Sequence, residues 1–153
     1  MEEVVPGLLD LAGLPDSLSP DEFWSCFGKV EHERLDFKVR VADSLQETIA
    51  AMAMTDGGVI VLGVRDDRTL LGCAESPATI DAVGQAAAAC ADPVPVRRRG
   101  IDVAAVPLTI VHVPANRIVT TSSGRLLRRS GSSNLPLRGE EAPGSSSAVS
   151  QRT

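Results

Sequence analysis

The sequence has no tyrosine, and its whole aromatic supply is Phe23, Trp24, Phe27 and Phe37 in 153 residues. The core must therefore be built from Val, Leu, Ile and Ala. Stacking of bases on aromatic platforms is excluded as the main mode of recognition. Cysteine is sparse as well: Cys26, Cys73 and Cys90 are an odd set without a C-x-x-C pair. Neither a disulfide framework nor a zinc site is indicated, and a reducing, cytoplasmic setting is expected. No apolar run approaches the ~20 residues of a membrane span. The opening MEEVVPGLLDL is acidic where a signal peptide would be basic, so no membrane partner is expected. His32 and His112 are the only histidines, too few to argue a Ser-His-Asp or Cys-His arrangement. No G-x-x-x-x-G-K-[ST] loop is present, so ATP is not an expected cofactor.

What is present is charge, unevenly spread. Residues 1–91 carry six bases against sixteen acids, and residues 92–138 carry eight arginines against two acids. The first part is thus −10, the second +6, and with −1 from residues 139–153 the net charge is −5. A division of this kind serves electrostatic recognition of a polyanion, although ordinary surface scatter gives the same count.

Local signals outline a single α+β domain with a mixed, mostly antiparallel sheet and flanking helices. Three segments are expected: an N-terminal extension with a short helix (1–28), the domain proper (29–137) and a disordered tail (138–153), poor in apolar residues and rich in Gly, Ser and Pro. The run SPDEFWSCFG (19–28) opens a helix with Ser19 as N-cap, Pro20 at the first position and Glu22 closing a capping box. Leu35, Phe37 and Val39 alternate with Asp36, Lys38 and Arg40, which predicts a strand with one buried and one charged face. SLQETIAAMAM (44–54) predicts a second helix with Ser44 and Glu47 as its capping box. Gly57-Gly58 reads as a tight helix-to-strand turn, and VIVLGV (59–64) as a buried strand. RDDR (65–68) and TLLG (69–72) suggest that this strand continues into a hairpin. A helix capped by Ser76 is expected over 76–91, then a loop holding Arg97–Arg99. Strands are expected near 101–105 and 107–113, His112 being a structural residue of the latter. A last strand over 125–134 runs into a glycine-serine turn.

Two readings of the acids follow. Asp36 and Lys38, two apart on a strand, project from the same face. Joined by acids such as Glu31 and Asp66, they would form a site of the kind that holds magnesium or manganese, with Lys38 orienting water. Glu31, five residues before Asp36, can converge on it only if the chain turns near residues 33–34. Alternatively these are solvated charges on an outer face, and Asp66-Asp67 are simply good turn formers.

The ordered set EHERLDFK, IAAMAMTDGGVIVLGVRDD, LLG and RLLRRSGSSN, over about residues 29–136, resembles the Schlafen-type AlbA-like domain family. The resemblance implies a nucleic-acid-binding module. It further implies that Glu31, Asp36 and Asp66 are catalytic carboxylates binding Mg or Mn, with Lys38 assisting. The implied activity is a divalent-metal-dependent endoribonuclease acting on structured RNA such as tRNA; the alternative is a non-catalytic DNA- or RNA-binding regulatory module or adaptor. Because cleaving relatives clamp their substrate between two lobes, a homodimer is implied too. The chain departs from the family pattern at Asp36 (usually Glu), Met54 (usually Asn) and Arg65 (often an acid). Arg97, Arg98, Arg99, Arg125, Arg128 and Arg129 are the candidate phosphate contacts, since a planar guanidinium fork suits phosphate oxygens. Ser132 and Ser133 would add hydroxyl donors.

Overall fold

The computed structural model of the chain describes residues 11–41, 44–90, 93–115, 121 and 124–136. The expected tail and most of the stretch between the strands expected at 107–113 and 125–134 lie outside those residues.

The first helix, α1 (Pro20–Phe27), forms as its sequence dictates. Ser19 Oγ accepts from Glu22 N–H at 3.1 Å, Glu22 Oε1 accepts from Ser19 N–H at 2.9 Å, and Gly28, with φ 83°, ends the helix. Before it lies a two-residue strand, β1 (Ser17–Leu18). Next come β2 (Leu35–Lys38), α2 (Ser44–Met54) and β3 (Gly58–Leu62), a right-sized crossover that leaves β2 and β3 parallel. At its tight end Gly57 has φ 72°, and a Cβ on Gly58 would lie 2.8 Å from the Arg34 carbonyl oxygen and 2.9 Å from Met52 Sδ. Only glycine fits that approach. Ser44 is the first residue of α2 rather than its cap, and Glu47 pairs with Arg125 instead of closing a box.

After α3 (Pro77–Ala88), β4 (Arg97–Val103) and β5 (Val106–Val113) complete a mixed five-stranded sheet in the order β1-β4-β5-β3-β2. The pairs β1–β4 and β2–β3 are parallel, and β3–β5 and β4–β5 are antiparallel. Both faces are covered, which is why every residue of β3 is buried. On one face Val59 and Val61 meet Leu35, Phe37, Ile101 and Val103 under α1 and the N-terminal segment. On the other, Ile60, Leu62, Val111 and Val113 meet α2 and α3. No helix among the described residues is long and apolar enough to cross a membrane.

Three expectations are corrected. TLLG forms no hairpin strand with β3; only an isolated bridge joins Val64 to Leu70. Because β2 and β5 occupy both edges of β3, no lateral place remains. At Gly63, φ 110° turns the chain away. Arg97–Arg99 are not a loop but the start of β4. The last segment is a hairpin in its own small sheet, β6 (Leu127–Ser130) and β7 (Ser133–Pro136), turning at Gly131-Ser132 and packed on α2.

Candidate functional site

Strand β2 forms one edge of the sheet. The chain approaching it folds back at Glu33-Arg34, where His32 and Leu35 exchange backbone bonds of 3.1 and 3.2 Å. This is the turn that the convergence of Glu31 on Asp36 requires. His32 Nδ1 reinforces it by accepting from Arg34 N–H at 3.1 Å. Glu31 is thereby laid along β2, where its Oε2 accepts from the Phe37 N–H at 2.8 Å.

Asp36 is not on a solvated face. It points toward α2 with 6% of its surface exposed, where two cations meet it. Arg129 Nη2 donates to Oδ1 at 2.9 Å, and Lys38 Nζ lies 3.1 Å from Oδ2. Lys38 also donates to Ser44 Oγ at 3.3 Å, tying β2 to the start of α2. Burial pushes the Glu31 carboxyl above the usual carboxylate range and the neighbouring Asp36 carboxyl adds to this; the Phe37 N–H and the Arg68 guanidinium oppose it.

A carboxylate raised in the folded state favours folding in its protonated form. The cost of its charge is absent in acid and appears as pH rises through the raised value. Glu31→Gln keeps an acceptor for Phe37 N–H and carries no charge. In urea titrations the variant is expected to match or exceed the parent's stability at pH 7, and that advantage to disappear by about pH 4. A variant less stable at pH 7 contradicts the assignment.

Asp66 does not join the pair. It is exposed in the turn after β3, and its main-chain oxygen accepts from Arg68 Nη1 at 2.7 Å. The adjacent Asp67 carboxylate is held below the ordinary range by Thr69, first through its side chain and then through its N–H, which donates to Oδ1 at 2.9 Å. Among the described residues no three His, Cys, Asp or Glu side chains are grouped to hold a metal ion. The charges agree with this. Lys38 and Arg129 touch Asp36 and Arg68 faces Glu31, so two carboxylates already meet three cations. A resident divalent ion does not fit this set.

The arginines also separate. Arg129 is corrected from surface contact to core: it is 2% exposed and bonds Asn134 Oδ1 (2.9 Å) and the carbonyls of His32 (3.3 Å) and Leu35 (3.4 Å) besides Asp36. Arg99 is likewise a fastener, donating to the carbonyls of Leu11 (2.7 Å) and Leu14 and to the Asp16 carboxylate. Arg98, on the opposite face of β4, pairs with Glu75 at 3.1 Å. Arg97 is exposed, and Arg125 makes a half-exposed pair with Glu47 at 3.0 Å. Arg128 is half-buried on the face of β6 opposite Arg129, and Ser132 and Ser133 are exposed at the hairpin turn. Sequence reasoning missed Arg68, which lies 4.6 Å above the Phe37 ring and donates to the Lys29 carbonyl at 2.5 Å. Nothing in the turn RDDR signals that role.

The sequence matches the family model described as Schlafen, AlbA_2 over residues 31–138. The chain belongs to the Schlafen AlbA_2 family. That places it among nucleic-acid-related domains. The fold is similar to that of the DIP2311 protein from Corynebacterium diphtheriae, with a TM-score of 0.54 and 22% identity over 71% of this chain. The match covers 26% of that protein, so this chain spans about a quarter of its length. No curated protein matches the chain.

Proposed function

We propose that this Schlafen AlbA_2 domain binds the phosphate backbone of nucleic acid, structured RNA or DNA, without cutting it. The family supplies the class of ligand. The observation that carries the rest is the buried contact of Asp36 with Arg129 and Lys38, which commits this acid to holding the fold together. The cations left facing solvent, Arg97 and Arg125 among them, are the phosphate contacts, helped by the hydroxyls of Ser132 and Ser133. A cytoplasmic location and pairing of two copies around the ligand belong to the same reading.

The test is fluorescence anisotropy with a labelled tRNA and a duplex DNA across a salt series, alongside incubation of the tRNA with manganese. Expected are binding that weakens linearly on a log–log salt plot, with a slope of about −0.9 per duplex phosphate contacted or about −0.7 on single strands, and intact tRNA. Manganese-dependent cleavage abolished by Asp36→Ala would establish the endoribonuclease instead. Negligible binding even at low salt would leave only an adaptor role.

A further inference from the structure

Among the described residues the hairpin β6–β7 shares no backbone ladder with the main sheet. An isolated two-stranded ribbon is marginal in water, so its position depends on what fastens it. Leu127 supplies an apolar anchor, being fully buried. The remainder is a polar latch reaching two elements. Arg129 N–H donates to Thr55 Oγ1 at 2.8 Å, just past α2. Asn134 Oδ1 accepts from Arg129 Nη1 at 2.9 Å, while its Nδ2 donates to Thr48 Oγ1 on α2 at 2.9 Å. Asp36 on β2 holds the other guanidinium nitrogen at 2.9 Å. What the latch holds out is the exposed tip Gly131–Ser133 and, ahead of β6, Arg125. The bond of Arg125 to Glu47 is half-exposed, with side chains 49% and 42% accessible. Such pairs contribute little, so the guanidinium can exchange its carboxylate for a phosphate oxygen.

We propose that Asp36 is a positioning residue which, through Arg129, sets the hairpin β6–β7 as the nucleic-acid-contacting element of the domain. The inference rests on the nucleic-acid-binding reading above and adds where binding occurs and what orients it. In this role the acid acts on the ligand only through a guanidinium that the ligand never touches.

The experiment pairs anisotropy on the labelled tRNA with amide hydrogen exchange, using the full chain. Asp36→Asn keeps an acceptor oxygen for Arg129 but removes the charge. Thr48→Val removes the hydroxyl at the other end of the latch. Both are expected to speed exchange over residues 127–136 by more than they speed it in β3 and β5, to weaken RNA binding by about tenfold, and to flatten the salt slope by about one contact. Arg125→Gln is expected to flatten the slope without altering exchange. If the parent binds and the variants loosen the hairpin at unchanged affinity and slope, the hairpin is not the contact and the inference falls. Unchanged exchange overturns it equally, because Asp36 then sets nothing. A parent that does not bind RNA at all defeats the underlying reading instead.

Discussion

Asp36→Ala is expected to lower the folding free energy by about 3–5 kcal/mol, the usual cost of leaving one partner of a buried pair uncompensated. Arg129 is 2% exposed and has no route to water once its carboxylate is gone. The backbone carbonyls of His32 and Leu35, at 3.3 and 3.4 Å, are long and neutral contacts and do not replace a carboxylate. The double variant Asp36→Leu/Arg129→Met removes both charges at similar volume and should recover most of the loss, as buried pairs exchanged for apolar ones commonly do. Urea midpoints at pH 7 read both results. A metal ligand predicts a different pattern. Removing an acid from an acidic cluster relieves repulsion, so Asp36→Ala would be harmless without metal. Manganese would then stabilise the parent, by ~2.7 kcal/mol at a concentration one hundred times its Kd. A stable Asp36→Ala variant together with a manganese-dependent midpoint would reverse the assignment made here.

The reason Asp36 looked like a surface acid is instructive. A period of two assigns charged residues to the wet face, and that rule holds unless a charge of opposite sign arrives from elsewhere. Here it arrives from 93 residues away, beyond any local pattern. The convergence of Glu31 was legible as a condition, a turn near residues 33–34, and the His32–Leu35 bridge meets it. The place of Asp66 was not legible, because a turn rich in aspartate reads the same whether or not its side chains reach inward.

Local signals fared better where the determinant is itself local. Ser19, Pro20 and Glu22 write the start of α1 within four residues, and Gly57-Gly58 is demanded by close approach and a positive φ. The β4–β5 turn shows the converse. Ala104 and Ala105 carry φ of 52° and 67°, a geometry normally announced by Asn-Gly, so its position was read two residues late. Arg97–Arg99 hid a strand because three like charges after two prolines carry no apolar period. Only pairing with β5 and the bonds to Glu75 and the N-terminal segment make that stretch β.

That N-terminal segment leads to the other large effect. The family match begins at residue 31, yet a chain starting at Lys29 is expected not to fold. Leu11, Leu14, Leu18, Phe23 and Phe27 are all buried in one core with Val61, Ile101 and Val103. Each fully buried side chain of this size contributes about 1.5–3 kcal/mol, so together they match the whole 5–15 kcal/mol by which a typical domain is stable. The polar losses act in the same direction. Asp102 N–H would lose the Asp16 carbonyl at 2.9 Å and Ala104 N–H the Leu18 carbonyl at 3.2 Å. Arg99 would lose the carbonyls of Leu11 and Leu14 and the Asp16 carboxylate that fix it. Circular dichroism and thermal melting of the shortened chain should show no cooperative transition. In the full chain, Phe23→Ala alone should cost about 3–5 kcal/mol. A shortened chain that melts cooperatively near the parent's temperature would mean that the matched span carries a core of its own, and that the face of the sheet under α1 tolerates water.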